Sequence, residues 1–167
     1  MSGERRINVT LNGEPTELVA ESHDTLTDLL RLERLYGNRE SCGIGVCGVC
    51  TVLVDQRAVA GCLVLAQVLD GAVIETIEGI GRPGRLSPLQ QAFIDESALQ
   101  CGFCTPGMVL TATQLLRENP APSDEEIAHF LAGNICRCGA YPEIIRAVRA
   151  AAKAAAGDPI DRSDAGE

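Results

Sequence analysis

The sequence predicts an α+β chain in two parts, a small sheet crossed by one helix and then a bundle of four short helices. Apolar residues alternate at period two before about residue 80 and recur at helical spacing after it. Between the two regimes the stretch "EGIGRPGRLSP" interrupts the pattern with glycines and prolines. With 167 residues and 46% hydrophobic content, the chain has room for one domain or two small ones and enough apolar surface for a real core. The expected division is 1–80, 81–156 and a mobile tail at 157–167 with the sequence "GDPIDRSDAGE".

In the first part Ile7, Val9 and Leu11 alternate with Asn8, Thr10 and Asn12, and Asn12-Gly13 signals a hairpin turn. The returning strand is expected over 17–20. Thr25 with Asp28 three residues on marks a helix start, and Leu26, Leu29, Leu30 and Leu32 supply its apolar bulk. Further strands are expected over 51–54 and 72–77. In the second part Ser87-Pro88 with Gln90 starts a helix: a capping hydroxyl, a proline at the first position, and a side chain able to reach back. Thr105-Pro106 opens a second helix that Asn119-Pro120 closes. Ser123 caps a third through Asp124, Glu125 and Glu126, ending near Gly133, and Tyr141-Pro142 precedes a fourth, rich in alanine.

Composition excludes several function classes. The net charge is −9 and no Lys/Arg cluster exists, so no basic face is available for a phosphate backbone. No apolar run approaches the roughly 20 residues that span a bilayer. The opening "MSGERRINVT" has neither the apolar stretch of a Sec signal nor that of a twin-arginine signal, and a cytoplasmic protein is expected. Eight cysteines in such a chain point to metal binding or catalysis before disulfides.

The cysteines fall into two sets of four. Cys42, Cys47 and Cys50 lie in "SCGIGVCGVCTVLV" at the spacing C-x4-C-x2-C, with Cys62 farther on. Plant-type ferredoxins hold a [2Fe–2S] cluster with this spacing. The interleaved Gly43, Gly45 and Gly48 permit positive φ angles, which turn backbone N–H groups onto the sulfurs. Structural zinc is the alternative, although a zinc ribbon more often shows two C-x2-C knuckles.

Cys101 and Cys104 form C-x2-C, and Cys136 and Cys138 form C-x-C about Arg137. Spacing alone leaves zinc and a thiol–disulfide pair open for this second set. Placement favours a cluster, because both pairs precede an expected helix whose N-terminal N–H groups and dipole stabilise thiolates and sulfides.

Taken in order, "ESCGIGVCGVCTVLV", "QCGFCTPGMVL" and "GNICRCGAYPEI" resemble the small iron–sulfur subunit of molybdenum hydroxylases. That family includes xanthine oxidase, carbon monoxide dehydrogenase and bacterial N-heterocycle and aldehyde oxidoreductases. The resemblance implies a β-grasp, ferredoxin-like domain with one [2Fe–2S] cluster on Cys42, Cys47, Cys50 and Cys62. It implies a four-helix-bundle domain with a second [2Fe–2S] cluster on Cys101, Cys104, Cys136 and Cys138. It also places Gln100 and Cys138 beside a molybdopterin cofactor on a large subunit, and the first cluster toward FAD on a medium subunit, in a heterotrimer able to dimerise. One departure is Cys138-Gly139-Ala140-Tyr141, where many members read Cys-Thr-Gly-Tyr.

The implied activity is an electron relay from molybdopterin through the two clusters to FAD or another acceptor, with no substrate contact on this chain. A free-standing ferredoxin and a zinc-stapled interaction module are the competing readings. His23 and His129 read as surface or capping residues and Met108 as core. Glu40 and Arg137 read equally well as groups supporting a cluster or as solvated charges.

Overall fold

A computed structural model of the chain describes residues 3–82 and 84–157. The expected tail, from residue 158 onward, lies outside the described residues. Strands β1 (Arg5–Leu11) and β2 (Glu14–Ala20) form a hairpin closed by Asn12 and Gly13, whose φ angles of 52° and 88° make the turn that a two-residue loop demands. Helix α1 (Leu26–Leu32) follows, then β3 (Thr51–Val54), β4 (Arg57–Ala60) and β5 (Val73–Glu75). The sheet order is β2-β1-β5-β3-β4. The β1–β5 pair is parallel and the others are antiparallel. Alternation puts Ile7, Val9 and Leu11 on the face that α1 covers with Leu26, Leu29 and Leu30.

A short helix α2 (Ile77–Ile80) follows the sheet, and then come α3 (Pro88–Asp95), α4 (Thr105–Glu118), α5 (Asp124–Phe130) and α6 (Tyr141–Ala155). Full capping boxes start three of the chain's helices: Thr25 with Asp28, Ser87 with Gln90, and Ser123 with Glu126. Phe93, Met108, Ile127, Ile144, Ala147 and Val148 form the centre of the helical core. The alanines of α6 let α3 approach it closely.

The structure corrects several expected boundaries. The returning strand starts at Glu14, three residues before the expected position. The strand expected over 72–77 stops at Glu75 because Asn12 Oδ1 takes the N–H of Thr76 at 2.8 Å, and Ile77 begins α2 instead. Strand β4 was not anticipated: its residues, Arg-Ala-Val-Ala, are small or charged, and its turn uses Asp55 and Gln56 at φ 48° and 68° without glycine. Helix α5 ends at Phe130, and a 3-10 turn (Leu131–Gly133) carries the chain to Asn134.

The two halves meet where α4 lies against β3 and β4. Gln114 accepts from the N–H of Ala58 at 2.7 Å on the open side of β4. Arg117 grips Glu75 at the end of β5 with two bonds of 2.8 Å. Gly107 is required here, since a Cβ would stand 2.3 Å from the carbonyl oxygen of Gly48.

Candidate metal centres

The first cysteine set lies on one loop between α1 and β3 and on a 3-10 turn (Gly61–Leu63) after β4. The loop's local conformation follows from its glycines. Gly43, Gly45 and Gly48 have φ of 64°, 75° and 67°. That path aims the backbone N–H groups of Ile44, Val46 and Cys47 at Cys42, whose thiol pKa is thereby lowered to about 6. Cys42 also meets the thiol of Cys47. On the inner side Cys50 meets Cys62, and burial pushes the Cys50 thiol up to about 11.

Cys50 is fixed from behind. Its carbonyl accepts from Gly61 N–H at 3.0 Å and from Asn38 Nδ2 at 2.6 Å. Gly61 must be small, since a Cβ would lie 2.8 Å from Thr27 Oγ1 and 3.0 Å from that same carbonyl.

The second set is divided between the loop entering α4 and the loop entering α6. Phe103 N–H and the Cys138 thiol hold the Cys101 pKa down. Burial drives Cys104 up to about 12, and its thiol faces Cys136. Cys136 is pushed up by burial, but the N–H groups of Ala140, Cys138 and Gly139 and the Cys104 thiol outweigh this and lower it. Gly139 at φ 79° makes that inward turn of amides, so the departure at residues 139 and 140 leaves the sulfur cradle intact. Cys136 N–H points away and donates to Tyr141 Oη at 2.9 Å.

In both sets the thiols interact chiefly as two pairs: Cys42 with Cys47 and Cys50 with Cys62, Cys101 with Cys138 and Cys104 with Cys136. A single zinc ion gathers four sulfurs at about 2.3 Å round one point. Among the described residues, no three His, Cys, Asp or Glu side chains converge as one metal ion requires. Two pairs side by side instead fit a centre with two irons, each held by two thiolates. The buried Thr105 hydroxyl, next to Cys104, has no partner among the described residues and fits a donor to a sulfur of such a centre.

The two sets are joined through backbone. Ile135 N–H donates to Cys47 C=O at 2.9 Å. Next to it, buried Asn134 donates Nδ2 to Gly48 C=O at 2.9 Å and accepts from Thr111 Oγ1 at 3.0 Å. Gly48 fits only as glycine, because a Cβ would lie 2.6 Å from the Gly133 carbonyl. Gln100 and Cys138, the expected pterin neighbours, also come together: Gln100 Nε2 lies 3.5 Å from Cys138 C=O.

Sequence reasoning did not single out Asn134, Asn38 or Arg39. The first stands inside the "GNICRC" motif two residues before Cys136, which was the signal available. His23 is exposed, near Glu21 and Asp24, and His129 sits in the last turn of α5, so neither joins a cysteine set. Met108 is fully buried in the helical core, and Arg137 is exposed.

Residues 9–76 match the family described as a 2Fe-2S iron-sulfur cluster binding domain, and residues 76–149 match a second [2Fe-2S] binding domain. The small FeS subunit of nicotinate dehydrogenase from Eubacterium barkeri is 47% identical over 86% of this chain and 92% of its own length. The xanthine dehydrogenase iron-sulfur-binding subunit of Escherichia coli O157:H7 is 44% identical over 85% of this chain and 91% of its own. Among solved structures, a chain of quinoline 2-oxidoreductase from Pseudomonas putida 86 superposes with a TM-score of 0.89 at 44% identity, covering 93% of this chain and 98% of that one.

Proposed function

Because the chain belongs to the small iron–sulfur subunits of the molybdenum hydroxylases, we propose that Cys42, Cys47, Cys50 and Cys62 hold one of its [2Fe–2S] clusters and Cys101, Cys104, Cys136 and Cys138 the other. The protein is an electron-transfer subunit of such an oxidoreductase, and the catalytic site lies on other chains. When bound, a [2Fe–2S] cluster accepts and releases single electrons with little rearrangement. The ligand assignment is carried by each four-cysteine set lying within its own [2Fe-2S] binding-domain match, 9–76 and 76–149, with the thiols facing one another in pairs.

The residues of the chain then have distinct tasks. The amides of Ile44, Val46 and Cys47, and those of Phe103, Cys138, Gly139 and Ala140, face thiolates and stabilise their negative charge. Burial of Cys50 and Cys104 excludes water from the inner side of each centre. The Ile135–Cys47 bond fixes one centre against the other. Gln100 and Cys138 are assigned to the side facing molybdopterin, and the division into 1–80 and 81–156 is assigned as the domain boundary.

Large and other subunits are expected for a protein of this kind. We assign a heterotrimer with a large molybdopterin subunit and a medium FAD subunit, able to dimerise. Apolar residues near both cysteine sets support stable docking rather than the brief encounters of a diffusing ferredoxin. Ile44, Val46 and Leu63 flank the first set at 67%, 58% and 62% exposure, and Phe103 and Ile135 lie beside the second. Among the described residues no helix is long and apolar enough to cross a membrane. Cytoplasmic residence belongs to the same proposal.

Relatives named for nicotinate, xanthine and quinoline are all 44 to 47% identical to this chain, so its sequence does not select the substrate. Light scattering on the protein purified from its own cells tests the assembly. Co-migration with one large and one medium chain is expected. A chain that runs alone at its own mass would overturn the heterotrimer in favour of a free ferredoxin.

A further inference from the structure

The segment before the first cysteine loop reaches across to the second set. Arg39 Nη1 donates to the carbonyl of Gly102 at 2.9 Å and to that of Phe103 at 3.2 Å. Its guanidinium carbon also lies 5.5 Å from the centroid of the Phe103 ring. Gly102 and Phe103 are the two residues between Cys101 and Cys104.

The two faces of this short turn therefore have opposite tasks. Its carbonyls point out to one guanidinium, while the N–H of Phe103 points in to the sulfur of Cys101. Gly102 at φ 74° makes the reversal possible. Both bonds come from the one nitrogen Nη1, and a guanidinium keeps its charge at every working pH. The backbone of Arg39 is three residues before Cys42, yet its charge is fixed on the turn of the other set.

We propose that Arg39 is a positioning residue for the cluster of the helical half, and that its charge makes that cluster easier to reduce. This rests on the ligand assignment given above. The step concerned is the gain of one electron, with no bond made or broken. The electron comes from the molybdenum centre of the partner chain and leaves to the first cluster. The cluster becomes more negative by one unit, and a nearby fixed cation stabilises that state. The ferredoxin-like half thus sets the potential of the centre from which it takes electrons.

The test is a redox titration of the intact complex, following the two reduced-cluster EPR signals in wild type, Arg39→Gln and Arg39→Lys. For R39Q the second-cluster potential is expected to fall, shifting the electron equilibrium between the clusters about tenfold toward the first, or ~59 mV. R39K is expected to recover at least half of that shift. A second-cluster potential unmoved in R39Q, an equal shift of both signals, or R39K no better than R39Q would overturn the proposal. Should R39Q lose the second cluster, Arg39→Met replaces it, keeping an apolar stem beside the Phe103 ring but no charge. The same fall of that potential is expected there, and no fall overturns the proposal. Absence of two signals in the wild type would contradict the ligand assignment instead, so the two failures are distinct.

Discussion

The backbone N–H of Ile135 donates to the carbonyl of Cys47 across 2.9 Å, so a neighbour of one cysteine set bonds directly to a member of the other. The contact is short because Asn134 clamps the same junction, spending both ends of its buried amide on Gly48 and Thr111.

Asn134→Ala removes that clamp and leaves the Thr111 hydroxyl without its acceptor. A loss of about 1–3 kcal/mol is expected from its buried hydrogen bonds to Gly48, Thr51 and Thr111, measured by chemical denaturation. The magnetic interaction between the two reduced clusters should weaken in the same variant, which EPR linewidths and relaxation will read.

Gly48→Ala is expected to be more damaging. It demands φ near 67° from a residue with a Cβ and drives that Cβ against the Gly133 carbonyl. Left-handed strain alone costs about 1–2 kcal/mol, and the junction must open in addition. Iron analysis should show the first cluster depleted. Wild-type stability and iron content in this variant would contradict the close approach.

Cys42→Ser and Cys104→Ser separate the two sets. Each should abolish one EPR signal and leave the other with its own g values. Loss of both signals from either variant would mean that the sets do not assemble independently.

The Glu75–Arg117 pair gives a pH prediction. The hydrogen bond from Arg117 holds the Glu75 carboxyl below the usual carboxylate value. A folded value below the unfolded one, about 4.3, means the contribution is complete above that pH and is lost as pH falls through the lower folded value. The pair is partly exposed, so about 0.5–1 kcal/mol is expected. Denaturation of Glu75→Gln should show that loss at pH 7 and a shallower decline between pH 5 and 3 than wild type.

Much of the fold was legible because its signals are local. Thr25, Ser87 and Ser123 cap helices where their spacing to Asp28, Gln90 and Glu126 indicated. Asn12-Gly13 closes the hairpin for the same reason. What escaped depends on distant residues meeting. Strand β4 is a strand because β3 pairs with it, not because Arg-Ala-Val-Ala prefers to be extended. Helix α2 begins where Asn12, on a turn far back in sequence, takes the Thr76 amide. Arg39 and Asn134 looked like ordinary polar residues, and only the apposition of the two halves gives them partners. The cysteine sets were legible as spacings, whereas their division into pairs required the fold.

The central claim is that eight cysteines hold two [2Fe–2S] clusters. Iron, acid-labile sulfide and zinc should be measured on anaerobically purified protein, followed by low-temperature EPR after reduction. About four iron and four sulfide per chain, with two distinct signals, are expected. Zinc in place of iron, from cells competent in cluster assembly, would contradict it.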